Sequence, residues 1–256
     1  SLAMCRVFAD AIATMIEEAE ALPQYESEHR IQLKSEVTEL ITTHRLKYVR
    51  VPLVNLNTGK QEGTELIPSL VRATDNIASP LLLVHQAVRL GLANLIGVNL
   101  IEQLLAELSA SPHERHVVVN VTPEFLAEFN FTAWLNDDLC GRIVFEISEH
   151  DRVASYHELK RILQPLRQSG IRLSIDNAGA GFASMQHILQ LQPEFVKLDS
   201  GLTCGIASDT GQQAMLQALL LFSRSQGSTL VADGISDKQD EDYLLHSGIS
   251  LGQYCQ

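Results

Sequence analysis

Six residues of this chain belong to the types that handle phosphate and divalent cations, and each follows or ends a short apolar run. Val117-Val118-Val119 ends at Asn120, Ile143-Val144-Phe145 at Glu146 and Leu173-Ser174-Ile175 at Asp176. Phe195-Val196 leads into Lys197, Leu230-Val231-Ala232 leads into Asp233, and Glu65 comes late in the run Gln61 to Ile67. Glu65, Asn120, Glu146 and Asp176 all offer hard oxygen donors, which suit Mg²⁺ or Mn²⁺. A lysine beside them neutralises a phosphate or orients a water, so the set points to metal-assisted phosphoryl chemistry. For any one of these residues alone, a strand-end cap or a surface charge is the better reading. Six at successive strand ends make coincidence a poor account.

The elements that must position them follow from periodicity. Short β-rich runs, at 116–121, 142–147, 172–175, 195–198 and 229–231, alternate with helical segments. Thr122-Pro123 is an N-cap followed by proline at the first helical position, and Ser236 with Gln239 fits a capping box. Upstream, Tyr48 to Leu56 and Gln61 to Ile67 flank the turn residues Asn57-Thr58-Gly59 and predict a hairpin. Helices are expected over 27–45, 81–93 and 100–108. Seven strands alternating with helices in one chain fit a (β/α) barrel better than two doubly wound domains. The fold class is therefore α/β, a (β/α) barrel with N-terminal helices, whose initial hairpin departs from a strict eightfold pattern. In such a barrel the C-terminal strand ends converge on one mouth, so residues distant in sequence share one site.

Phe8, Ile12, Met15, Ile16, Ala19 and Leu22 recur at helical spacing, and Pro23 closes that helix. Residues 1–26 are read as a connector helix and 27–256 as the barrel domain. Whether the connector leads from an upstream sensory domain or packs on the barrel base stays open. The chain opens on Ser1-Leu2, so a piece of a longer protein is expected.

With 45% hydrophobic and 20% charged residues, the chain has ample material for a core. Its formal net charge of -12 argues against DNA, RNA or anionic-membrane binding, which need a basic footprint. No apolar stretch is long enough to insert in a membrane. Cys5, Cys140, Cys204 and Cys255 form no CxxC pair, which fits free thiols in a reducing, cytoplasmic compartment. His113 and His116 are read as solvated, and the acidic stretch Asp237 to Asp242 as a solvated helix start.

In order along the chain, these motifs resemble the EAL domain family of cyclic-di-GMP phosphodiesterases. Glu65-Leu66-Ile67 stands at the signature glutamate, Val119-Asn120-Val121-Thr122 is similar to the asparagine motif, and Phe145-Glu146-Ile147-Ser148-Glu149 to the Glu-x-x-Glu motif. Asp176-Asn177-Ala178-Gly179-Ala180-Gly181 resembles the Asp-Asp-Phe-Gly-x-Gly loop, Val196-Lys197-Leu198-Asp199 the lysine motif, Ala232-Asp233-Gly234 the Ala-Glu-Gly motif, and Gln253 the last-strand glutamine. The resemblance implies a modified TIM (β/α)8 barrel with an antiparallel first strand and N-terminal helices, one that opens cyclic-di-GMP to pGpG with Mg²⁺ or Mn²⁺. It implies Glu65, Asn120, Glu146 and Asp176 as metal ligands, with Asn177 at a further metal-ligand position. Lys197 would help hold the attacking water, Asp233 would stand at the position proposed as general base or metal ligand, and Glu149 would brace the loop Gly179 to Ser184. Gln253, Val51 and Ser69 would fall on the ligand-binding side.

The departures carry their own implication. Asn177 replaces a second aspartate, Asp233 is one methylene shorter than glutamate, and Ala178 and Ser236 replace a phenylalanine and a later glutamate. Val51 stands where a guanine-contacting glutamine is usual, and Ser69 where an arginine grips phosphate through a bidentate fork. A displacement of about 1 Å at a reacting group can cost on the order of 10²-fold in rate. The leading expectation is a degenerate EAL domain, catalytically impaired, acting through a protein partner, a homodimer or weak cyclic-di-GMP binding. The alternatives are an active phosphodiesterase and a metal-binding barrel that accepts another phosphate ligand. Because the chain stops soon after Gln253, closure of the barrel is expected to be incomplete.

Overall fold

The computed structural model describes residues 25–43, 46–70, 80–134, 137–179 and 183–255. The predicted connector helix over 1–26 lies almost wholly outside them. The chain divides into two compact units, one comprising Ser1–Val49 and Pro68–Gln103, the other Arg50–Ile67 and Leu104–Gln256.

The first unit is mainly helical, with strand residues at 46–49 and 68–70. It holds α1 (Tyr25–Thr42), α2 (Pro80–Arg89) and the beginning of α3 (Ala93–Ala110). Val37, Leu40 and Ile41 of α1 and Val84, Ala87 and Val88 of α2 are buried at the three-and-four spacing of one helix face. Arg30 donates to the carbonyl of Arg89 at 3.3 Å, satisfying an orphan acceptor at the end of α2.

The second unit contains most of the barrel. Its strands are β1 (Leu46–Asn55), β2 (Lys60–Leu70), β3 (His116–Asn120), β4 (Ile143–Ser148), β5 (Arg172–Ala178), β6 (Phe195–Leu198), β7 (Thr229–Ile235) and β8 (Leu251–Tyr254). They close in sequence order, β1 through β8. β2 to β8 run parallel to one another, while β1 is antiparallel to β8, with Val54 opposite Gly252. The hairpin after β1 explains the reversal, since a tight turn joins only antiparallel strands. Contrary to the sequence-based expectation, the barrel is complete. The four residues of β8 fill the gap between β7 and β1. Gly252 lies in a closely packed place, where a Cβ would stand 2.6 Å from Ile235 Cδ1 and 3.3 Å from the Ala232 carbonyl oxygen.

The helices that return the chain begin with α4 (Pro123–Glu128) and the short α5 (Asp137–Cys140), then α6 (Tyr156–Gln168) and α7 (Ala183–Leu191). They continue with the single turn α8 (Ser200–Thr203), α9 (Thr210–Gln226) and α10 (Lys238–His246). Thr122 caps α4 as its sequence predicts, accepting from the Phe125 amide at 3.1 Å. The predicted capping box at α10 is displaced by one residue. Asp237 is the cap, accepting from the Gln239 and Asp240 amides, and Ser236 donates instead to Asp240.

Two solvated assignments are corrected. His116 is buried against Phe195, with ring centroids 5.2 Å apart, and burial pushes its pKa down to about 4. Asp240 is also buried. It accepts from the Gly205 and Ala207 amides at 2.8 and 3.0 Å, so it anchors the segment after α8. Among the described residues no helix is long and apolar enough to cross a membrane.

Candidate functional site

Alternation along a strand puts every second side chain on one face, so Ser174 and Asp176 share a side of β5 and Phe195 and Lys197 a side of β6. The registers carry that face around the barrel: Asn120 pairs with Glu146, Glu146 with Ser174 and Lys197 with Val231. Glu65, Asn120, Glu146, Asp176, Lys197, Asp233 and Gln253 thus come from seven consecutive strands, β2 to β8.

Lys197 is the hub. Its ammonium is buried and lies 3.0 Å from Glu65 Oε2 and 3.3 Å from Asp176 Oδ1, and it also bonds Glu146 Oε2. Glu65 accepts in addition from Asn120 Nδ2 at 2.9 Å and Gln253 Nε2 at 3.1 Å. Glu146 accepts from the Ser174 hydroxyl at 2.7 Å.

Charge is unevenly compensated within this cluster. Burial opposes ionisation of Glu65, but Lys197 and the donors Asn120 and Gln253 outweigh it and hold Glu65 below the usual carboxylate range. Burial dominates at Glu146 and pushes it well up, with repulsion from Asp176 and Glu65 adding to the effect. Asp176 is raised for the same reason, against the pull of Lys197 and the Asn177 amide. Asp233 is pushed up to about 6, chiefly by burial. Lys197 rises well above the usual lysine range, because four surrounding carboxylates more than offset its own desolvation.

This donor set fits a divalent cation chemically. It offers three carboxylates and an amide oxygen, all hard ligands. The raised carboxylates mark a site short of positive charge, which a cation supplies. The carboxylates nevertheless converge on the Lys197 ammonium. Among the described residues no group of three or more His, Cys, Asp and Glu side chains is already arranged around an open point for a metal.

Asn177 follows Asp176 with a left-handed φ of 61°. Its amide N–H donates to Asp176 Oδ1 at 2.8 Å and its side-chain Nδ2 to Asp176 Oδ2 at 3.0 Å. The side chain at 177 therefore supplies a donor to the neighbouring carboxylate where a second aspartate would supply acceptors, while the backbone N–H is common to both. The β5–β6 register slips between Ile175 and Ala178, and the β7–β8 register between Ala232 and Ile235. Both slips are β-bulges, which re-aim side chains at the ends of strands. They fall on Asp176-Asn177 and Asp233-Gly234.

Glu149 is buried just after the end of β4. Its amide donates to the Asp176 carbonyl at 3.0 Å, and its Oε2 has no hydrogen-bond partner among the described residues. The centre of the loop it was expected to brace, 180–182, lies outside the described residues. Val51 is buried in β1 and offers no polar side-chain atom. Ser69 lies on β2, four residues after Glu65, and is half-buried. Sequence reasoning did not single out Ser174, although its place two residues before Asp176 on a strand was sufficient signal. It also missed Thr203, whose hydroxyl donates to the Asp233 carbonyl. That contact joins two segments 30 positions apart and leaves no local trace.

A family model described as the EAL domain matches residues 34–253. The chain is 23% identical over 214 residues to the probable cyclic di-GMP phosphodiesterase PdeG of Escherichia coli K12, covering 79% of this chain and 42% of that protein. It is 26% identical over 147 residues to the RNase E specificity factor CsrD of the same organism, covering 55% of this chain and 23% of CsrD. The chain thus spans less than half the length of either relative. Its fold superposes on Klebsiella pneumoniae BlrP1, solved as a manganese and cyclic-di-GMP complex, with a TM-score of 0.67 and 21% identity over 82% of this chain and 54% of that one. With the family model covering most of its length and the strand-end motifs in order, the chain belongs to the EAL domain family.

Proposed function

We propose that this chain is a degenerate EAL domain of cyclic-di-GMP signalling, regulatory rather than efficiently catalytic, and part of a longer cytoplasmic signalling protein. The observation that carries this reading is the pairing at Asp176-Asn177, where the Asn177 amide group bonds back onto the Asp176 carboxylate. An uncharged amide there gives a second cation no carboxylate. The shorter Asp233, with the apolar Val51 and the short Ser69, weakens the remaining chemistry and ligand grip. That CsrD, a relative in the same family, is named for a role other than hydrolysis agrees with a regulatory use.

Glu65, Asn120, Glu146 and Asp176 would hold one Mg²⁺ or Mn²⁺ once Lys197 withdraws from their centre. The metal would supply charge to polarise a phosphate, and Lys197, Asp233 and Glu149 would orient the surrounding groups. Nucleic acid has no part in this reading.

A partner surface is available on α9. Met215 and Leu221 are 46% and 74% exposed, Ala214 and Ala218 beside them are exposed too, and Arg224 is the single charged residue of the helix. An apolar stripe on so acidic a chain supports a homodimer or a protein partner.

Calorimetry with cyclic-di-GMP and Mg²⁺ or Mn²⁺ tests binding, and incubation with the same ligand tests turnover to pGpG. Weak or absent binding with negligible pGpG is expected. Turnover at the rate of intact family members would sink the degenerate reading in favour of an active phosphodiesterase. That second reading draws on the intact Glu65, Asn120, Glu146, Asp176 and Lys197.

A further inference from the structure

Helices α6 and α7 touch, yet a groove of about 580 Å³ runs between them, within the usual range of ligand clefts. The buried Leu163 of α6 and Leu189 of α7, which is 52% exposed, supply its apolar surface. Arg167 fixes the end of α7, donating to the Leu191 and Gln192 carbonyls at 2.8 and 3.0 Å. Lys160 reaches from α6 to α7, its ammonium donating to Gln190 Oε1 at 3.1 Å. In charge the groove departs from the rest of the chain. The chain carries -12, but α6 holds Lys160, Arg161 and Arg167 against the single acid Glu158, and α7 has no Asp, Glu, Lys or Arg. Arg161 is engaged with Glu158 at 2.9 Å and Arg167 with Glu194. Among the described residues Lys160 meets no carboxylate, and no Asp or Glu lines the groove. An ammonium has three donors, so two of those on Lys160 remain for a ligand.

We propose that the groove between α6 and α7 docks an extended, acidic segment of a partner protein. A carboxylate of the segment meets the Lys160 ammonium, and an apolar side chain lies on Leu189. Gln164, Gln168, Gln190 and Gln192 line the groove with exposed amides, each both donor and acceptor. An extended backbone brings unpaired N–H and C=O groups that such amides match. A docked helix has satisfied those groups internally and calls for a more apolar groove. The negative charge of the rest of the chain disfavours acidic ligands elsewhere, which gives the groove its selectivity. The surface shares no residue with the barrel mouth or with the apolar stripe of α9, so it stands whichever way the catalytic question falls.

The probe is a short fluorescein-labelled peptide of alternating glutamate and serine around one central leucine. It is titrated with the whole chain and read by fluorescence anisotropy. Saturable binding is expected, weakening as salt is raised. Lys160→Glu and Leu189→Glu should each weaken it by roughly tenfold or more, since one turns an attraction into repulsion and the other removes the apolar foothold. Both side chains are exposed, so each variant is expected to keep the melting temperature of the parent chain. A probe with lysine in place of glutamate should not bind. No saturable binding, unchanged binding in both variants, equal binding of the lysine probe, or displacement by inorganic phosphate alone, which marks a small-anion site, would each overturn the proposal.

Discussion

Asn177 and Gly234 occupy matching places on two strands: each follows an aspartate, each has a left-handed φ, 61° and 73°, and each lies within a register slip against the next strand. The bulges turn Asp176 and Asp233 relative to the strands that carry them. Asparagine and glycine are the residues that take this conformation at little cost. At Gly234 the nearness of Ser200 adds a steric reason.

Aspartate also tolerates the left-handed region. Asn177→Asp should therefore keep the bulge while restoring a carboxylate beside Asp176. Combined with Asp233→Glu, it is expected to raise Mg²⁺- or Mn²⁺-dependent pGpG formation by roughly 10²-fold, the lower end of what a positioned base contributes. Chromatographic product analysis checks it. Unchanged turnover in a folded double variant would show that these two positions are not what limits hydrolysis.

Lys197→Met removes the one ammonium that Glu65, Glu146 and Asp176 share. Leaving buried charge uncompensated costs about 3–5 kcal/mol. The loss should be largest near neutral pH and shrink as the carboxylates take up protons in acid. Thermal melts across pH test this, and Mn²⁺ should raise the variant's midpoint more than that of the parent chain.

Asp151 carries a pH dependence of its own. Its carboxylate accepts from the Ser148 amide at 3.1 Å, yet burial pushes its pKa from 3.8 to about 7. The folded state therefore binds the extra proton between these values. Stability from this group is full below pH 3.8 and is lost as pH rises through about 7. Asp151→Asn should stabilise the chain at pH 8 by an amount on the order of 2 kcal/mol, since each tenfold change in proton affinity is worth about 1.4 kcal/mol and solvent screens part of it. It should do little at pH 4. Paired denaturant titrations at the two pH values check the sign.

Leu221→Glu places a charge in the apolar stripe of α9 without touching the barrel interior. If that stripe is a contact between copies, sedimentation should show loss of dimer with the melting temperature of the monomer unchanged. An unaltered distribution would move the partner surface elsewhere.

Much of this architecture is legible in the sequence because two periodicities expose it. The apolar runs ending in Asn120, Glu146, Asp176, Lys197 and Asp233 mark both strands and mouth. What is hidden depends on distance or on local geometry. Asp240 reads as one more acid in a solvated stretch, and only the chain reversal at 205–207 reveals its two amide partners. His116 reads as a surface histidine until β6 brings Phe195 against it. β8 is four residues long and includes a glycine, so it has too little alternation to announce itself. The bulges are hidden for a similar reason, since the slip is defined by the partner strand.

The short eighth strand also sets a condition on how the chain reaches its native state. Val54 meets Gly252, so the contact that seals the cylinder joins segments separated by most of the polypeptide. Such a high-contact-order pairing is slow, because the intervening chain must be ordered before the ends are held together. During synthesis β1 waits with an unpaired edge until the last strand clears the ribosome. In that interval the unpaired edge of β1 is open to mispairing.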